Sequence, residues 1–271
     1  MRAPSRVSAR PSRSILALGL FGALFFGLPF VALLAKAPWL SLPDFVGDDA
    51  VRSALWLSLV TSLVTTLLAV LLGVPLAWVL ARSEIPGRRW LRALCTLSMV
   101  LPPVVGGVAL SLALGRRGIV GGPLYDLFGV SLPFATSAVV VAQLFVAMPF
   151  LVLTVEAALR SLNPAKEEAA RTLGASNWYV FRRVTMPSIQ PAVVSGLVLT
   201  WARALGEFGA TITFAGSFPG TTRTVPLATY LALENDPDQA ILLSLLLVAV
   251  SFGVLVGLRD RWVGAAFGGG A

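Results

Sequence analysis

A chain of 271 residues that is 56% apolar and only 13% charged carries more hydrophobic surface than one soluble core of that length can bury, so it must use lipid as solvent. Its net charge of +8 is spread over the segments between apolar runs and never gathers into one basic domain, which excludes a nucleic-acid-binding protein. There is no histidine, and the single cysteine, Cys95, lies in an apolar run; disulfides, zinc sites and histidine-based acid–base catalysis are excluded, and no metal site is expected.

A bilayer core about 30 Å thick takes roughly 20 helical residues. Six apolar runs reach that length: Ser14–Ala35, Ala54–Ala81, Ala93–Leu114, Phe134–Val155, Ala192–Phe214 and Ala240–Leu258. They are too long for barrel strands, which need about ten alternating residues, so the expected fold class is all-α, a polytopic membrane protein with six transmembrane helices. The first run follows a basic leader and precedes Ala35-Lys36-Ala37, a conceivable cleavage site, but it is longer than a secretory apolar region and long enough to span, which predicts retention.

Basic residues orient the chain. Arg2, Arg6, Arg10 and Arg13 precede the first run, Arg82, Arg88, Arg89 and Arg92 follow the second, Arg160, Lys166, Arg171, Arg182 and Arg183 follow the fourth, and Arg259 and Arg261 follow the sixth, fifteen on one side. The other side has Lys36, Arg52, Arg116, Arg117 and Arg223 among most of the acids. The positive-inside rule then places both termini in the cytoplasm.

Between the second and third runs, Pro86-Gly87 suits a tight reversal. The third run contains Leu101-Pro102-Pro103-Val104-Val105-Gly106-Gly107, where two prolines delete backbone donors and predict a kink or an unwound turn. Such a break is tolerated only against other protein or a watery cavity, so Pro102, Pro103 and Gly106 mark either a packing kink or a pathway. Gly115–Pro133 is expected to face outward and holds the weakly amphipathic Leu124–Val130, whose pattern suits an interfacial helix.

The longest polar stretch, residues 156–191, is the most informative. Asn163 is a good helix cap, Pro164 suits the first helical position and Glu167 and Glu168 favour the early turns. Gly174 supplies a stop near Leu173, Ser176 or Asn177 can cap again, and Trp178, Phe181 and Val184 recur at helical spacing until Pro187 ends the run. The product is a compact helix pair.

Glu168-Ala169-Ala170, then Gly174, Val184 and Met186-Pro187, resembles the "EAA" signature of ATP-binding-cassette (ABC) importer permeases, with Val184 and Met186 as conservative departures. The small alanines and the glycine let a helix end seat in a partner's groove. No Gly-x-x-x-x-Gly-Lys-Ser/Thr loop occurs, so ATP and Mg²⁺ are expected on a separate ATPase subunit and no cofactor in this chain.

The fifth run carries Arg203 and Glu207 four residues apart, hence on one helical face in apolar surroundings. Such charges are paired or functional: either a mutual salt bridge, the reading favoured for Glu207, or groups beside a pathway with Thr211 and Thr213. The stretch Ala202–Thr211, continued by Gly220–Leu227 and Tyr230 and joined to Leu101–Gly107, is similar to molybdate-transporting permeases; sulfate and thiosulfate permeases look similar around "LGEFGA", and tungstate is a further alternative.

The resemblance runs from about Ala54 to Leu255 and implies the type I importer fold. Its division is a tail (1–13), a first helix and external loop (14–53), the permease domain (54–258, coupling segment 156–191) and a second tail (259–271). It implies alternating access by a homodimer in membrane lipid, two cytoplasmic ATPase subunits that engage Glu168, Ala169, Ala170, Gly174 and Pro187, and an external anion-binding protein docking near Arg223 in Ser217–Asp238. A secondary transporter would show internal repeats and an intramembrane hydrolase a nucleophile with its base; neither pattern is visible.

Overall fold

The computed structural model describes residues 12–257; the basic residues and tails predicted outside that range, and Leu258, lie beyond the described residues. These are all-helical, with no strand among them. In chain order the helices are α1 (Arg13–Lys36), α2 (Leu42–Gly47), α3 (Asp49–Arg82), α4 (Arg88–Val100), α5 (Pro103–Leu114), α6 (Gly121–Phe128), α7 (Thr136–Ser161), α8 (Pro164–Thr172), α9 (Asn177–Val180), α10 (Met186–Leu205), α11 (Gly209–Phe214), α12 (Val225–Asn235) and α13 (Pro237–Gly257).

Five helices among the described residues are long and apolar enough to cross a membrane: α1, α3, α7, the continuous Asn177–Leu205 rod and α13. The predicted third span is interrupted where its prolines stand. α4 ends at Val100, α5 begins at Pro103, and the missing N–H groups of Pro102 and Pro103 leave the carbonyls of Ser98 and Met99 without helical donors.

The predicted fifth span also differs. Its helix stops at Leu205, and Gly206–Phe208 separate it from α11, so Arg203 and Glu207 do not lie on one continuous helix. At its other end Pro187 does not terminate the run. A π-turn over Phe181–Thr185, closed by the Met186 N–H on the Phe181 carbonyl, carries the helix past it, because the wider turn relieves the register that proline would otherwise break. Within the segment Ser217–Asp238, predicted to receive a binding protein, Val225–Asn235 folds as α12.

Helix α7 is the centre of the bundle, with α3 and α10 packed against it. The close approaches use small residues, as membrane helices require when hydrophobicity alone cannot drive association. Ala69, Ala77, Ala138, Ala142 and Ala147 are fully buried. A Cβ on Gly196 of α10 would stand 2.8 Å from the Leu151 side chain and 3.3 Å from its Cα.

A polar seam strengthens the same contact. Thr65 donates to Gln143 (3.0 Å), whose amide donates to Thr61 (3.2 Å). Farther along α3, Ser58 accepts the Val225 N–H at 2.8 Å, so the first turn of α12 is capped by a side chain from a distant element, not by its own Thr224. By contrast, no residue of α1 is buried.

The two interrupted helices meet. A Cβ on Gly107 of α5 would fall 1.6 Å from Thr213 Oγ1 and 2.9 Å from the Ala210 carbonyl, and one on Gly209 would fall 2.7 Å from Pro103 Cβ. Gly107→Ala is therefore expected to lower the thermal unfolding midpoint in detergent, at a cost of about 1–3 kcal/mol from overpacking. Gly22→Ala on α1, where an added Cβ meets nothing within 4 Å, should leave the midpoint in place. Equal midpoints for the two variants would show that α5 and α11 are free to separate.

Candidate functional site: a docking surface and a paired helix break

The segment predicted to contact a partner is built by its caps. Asn163 Oδ1 accepts the Ala165 N–H at 3.0 Å and Pro164 opens α8. At the other end Gly174 takes a left-handed φ of 84°. The Gly174 N–H reaches the Arg171 carbonyl and the Ala175 N–H reaches that of Ala170, the double closure of a Schellman turn that glycine permits at no steric cost. Ser176 then caps α9 through the Tyr179 N–H at 3.3 Å.

Glu168, Ala169 and Gly174 are exposed and Ala170 is half-buried. Leu173, 89% exposed, stands at the tip. Ala170, Leu173, Gly174, Ala175, Ser176 and Tyr179 line a concavity of about 550 Å³. Pro187 is exposed in the first turn of α10, apart from that concavity.

Glu167 turns the other way, 4% exposed. Its carboxylate accepts from Thr185 Oγ1 at 2.8 Å and from Arg82 at 3.3 Å, with Arg171 at 3.9 Å. Close by, Glu156 of α7 is buried between Arg92 and Arg160; the Arg160 Nε contact is 2.9 Å. Both of those arginines also donate to the Leu80 carbonyl of α3. Phe181 packs edge-on to Trp78 and stacks on Trp178.

Sequence reasoning passed over Glu156, the position of Glu167 and Gln143. The i,i+4 spacing of Glu156 and Arg160 was a signal for the first.

The second cluster joins the predicted pathway residues. Pro102 and Pro103 are exposed at the start of α5, Pro103 lies against Gly209 of α11, and Gly106 is buried against Phe145. Glu207, 1% exposed, accepts the Ala210 N–H at 2.8 Å, which caps α11. Its second oxygen lies 2.6 Å from Arg203 Nη1 but is poorly aligned, so the contact is an ion pair by charge and not a directed hydrogen bond.

Thr211 is fully buried and its hydroxyl has no partner, whereas Thr213 is exposed, donating to the Gly209 carbonyl at 2.8 Å. Arg223 is half-buried and donates to the Ser217 hydroxyl and carbonyl at 3.2 and 3.3 Å. It lines a 210 Å³ cavity with Asn235, Asp236 and Gln239.

Residues 69–265 match the family of binding-protein-dependent transport system inner membrane components. The chain is 49% identical over 240 residues to the molybdenum transport system permease protein of Mycobacterium bovis, covering 89% of this chain and 90% of that one. The protein of the same name from Escherichia coli K12 is 39% identical over 187 residues, 69% of this chain and 82% of that one. A sulfate transport system permease protein from Synechocystis is 35% identical over 230 residues, 83% of each.

Among solved structures, a bacterial ABC transporter involved in alginate import superposes with a TM-score of 0.72 at 19% identity, over 92% of this chain and 94% of that one. An inward-facing methionine ABC transporter gives 0.62 at 18% identity, over 78% and 94%. At such identities these establish the fold alone.

The molecule is a multi-pass membrane protein with the fold of an ABC importer permease, a transport component and not an enzyme. The chain belongs to the family of binding-protein-dependent transport system inner membrane components.

The ion pair has a measurable consequence. Glu207→Gln keeps an acceptor for the Ala210 N–H but leaves Arg203 without its counter-ion. The expected cost is about 1–3 kcal/mol, below the 3–5 kcal/mol of a fully buried pair because Arg203 is partly exposed. Folded yield and thermal midpoint report it, and Arg203→Met added to Glu207→Gln should recover part of the loss. If Glu207→Gln folds like the unaltered chain, the pair is not holding the α10–α11 junction.

Proposed function

We propose that this chain is the membrane-spanning subunit of an ATP-driven importer that carries a tetrahedral oxyanion, with molybdate as its cargo. The observation that carries the cargo is the 49% identity, over 89% of the chain, to a protein named as a molybdenum transport permease. The mechanism is alternating access between two copies of the chain, each contributing six spans, the third made up of α4 and α5 in series. Both termini and α8 lie on the cytoplasmic side of the plasma membrane, the side on which the sequence concentrates its basic residues.

Two ATPase subunits carrying ATP and Mg²⁺ dock on the concavity around Gly174, and an external anion-binding protein delivers cargo to the face that carries Arg223. Adjacent breaks in α4–α5 and α10–α11 give the pathway its moving part: four short helix ends packed through glycines rearrange with less lost contact than two continuous rods. Arg203 is held by Glu207, so the route has no free deep cation, and an anion can leave as readily as it enters. Family relatives include a sulfate permease, so sulfate is the competing cargo.

Uptake into proteoliposomes containing the full complex distinguishes them. Molybdate uptake dependent on ATP and the binding protein, unaffected by excess sulfate, is the expected result; abolition of uptake by sulfate would transfer the assignment to the sulfate class.

Two variants test the docking assignments. Gly174→Trp adds bulk to the concavity at a left-handed position and is expected to let ATP hydrolysis continue while uptake falls by about 10-fold or more; normal uptake would remove α8 from the interface. Cysteine at Thr221, with Cys95 replaced by serine, is expected to cross-link to the anion-loaded binding protein. Thr221 is exposed, whereas Thr222 is buried and unsuited to the experiment. Cross-linking from residues 115–133 instead would move the docking site and leave Arg223 without a role.

A further inference from the structure

Helix α8 spans nine residues, and Glu167 is the only one of them that is buried. A helix of two and a half turns has little stability of its own, and this one has no buried apolar side chain to seat it on the bundle. What enters the bundle is a carboxylate. Its three partners come from three elements: Arg82 from the last residue of α3, Thr185 from the π-turn that leads into α10, and Arg171 one turn along α8 itself. Glu168, the neighbouring acid, is exposed on the outer surface with Ala169 and Gly174.

We propose that Glu167, paired with Arg82, is the positioning residue through which a displacement of α8 is passed into α3 and α10. The inference rests on α8 being the surface that the ATPases engage. The chemistry favours this seat over an apolar one. Apolar contacts are non-directional and let a helix slide, whereas a desolvated carboxylate that loses its donors incurs a large penalty. When α8 moves, the cheapest path keeps Arg82 and Thr185 with it. The two acids thus divide the work, Glu168 facing the partner and Glu167 facing the membrane helices.

The test uses the reconstituted complex of this chain, its ATPase subunits and the binding protein, with two readouts: ATPase co-purification and anion transported per ATP hydrolysed. Glu167→Gln keeps an acceptor for Thr185 but removes the charge opposite Arg82. Expected are co-purification at the level of the unaltered chain, continued hydrolysis, and anion per ATP lower by about 10-fold. Arg82→Gln should give the same loss, and the double variant should be no worse than either single one, because both remove one link. Glu168→Gln should instead weaken co-purification and leave the ratio intact in the complexes that form.

Anion per ATP unchanged in Glu167→Gln, or ATPase co-purification lost as in Glu168→Gln, overturns the proposal. If Glu167→Gln fails to fold, Arg82→Gln is read by the same two criteria. Gly174→Trp separates the two levels: if it binds ATPases and couples normally, the docking reading has failed, whereas uncoupling by Gly174→Trp alone, with Glu167→Gln normal, rejects only the role given to Glu167.

Discussion

Hydrocarbon offers no hydrogen-bond partner to an open peptide group, and this constraint organises the molecule. Two of its apolar segments are broken, one at Leu101–Pro102 and one at Gly206–Phe208, and neither break is tolerable facing lipid. The fold places them against each other. Glycines at 107 and 209 remove the side chains that would hold the backbones apart, Ser111 Oγ donates to the Thr213 carbonyl at 3.5 Å, and Glu207 closes the start of α11. Each interruption supplies the protein surroundings that the other needs, so the two are expected to change together.

At the α8 end the problem is charge. Two buried carboxylates, Glu156 and Glu167, face four arginines, Arg82, Arg92, Arg160 and Arg171, and the C-terminus of α3 lies among them. The Leu80 carbonyl, an acceptor at the negative end of a long helix dipole, takes bonds from two guanidinium groups. Excess positive charge in the cluster is thereby opposed by the end of the helix as well as by the acids. A surface ion pair contributes little to stability, but these carboxylates are desolvated and fix which helix ends can meet.

The helical class and most span positions were legible because bilayer thickness imposes a length that composition alone reveals. The caps at Asn163, Gly174 and Ser176 were legible too, since each acts within a few residues of itself in the chain. What escaped were features decided by distant neighbours. Nothing local says that Glu167 turns inward and Glu168 outward, because the choice is made by Arg82 and Thr185. The end of α10 at Leu205 was hidden because the apolar run resumes at Phe208 after only Gly206 and Glu207. Pro187 misled in the opposite sense, because a π-turn absorbs it, and helical periodicity does not announce that turn. Thr211 and Thr213 differ by only two positions, yet one is buried and the other exposed, a distinction that local sequence does not carry.

Helix α3 has a tie near each end. Arg82 is bound to helix α8, and Ser58 is bound to the backbone of α12. The two residues are 24 positions apart, about 36 Å along a helix axis, with α7 packed between as a flank. The contact with α7 runs along α3 from Thr61 to Leu80, so both ties sit on one rod supported along its length. A shift of α3 along its own axis would therefore move both ties together, with no change of secondary structure between them.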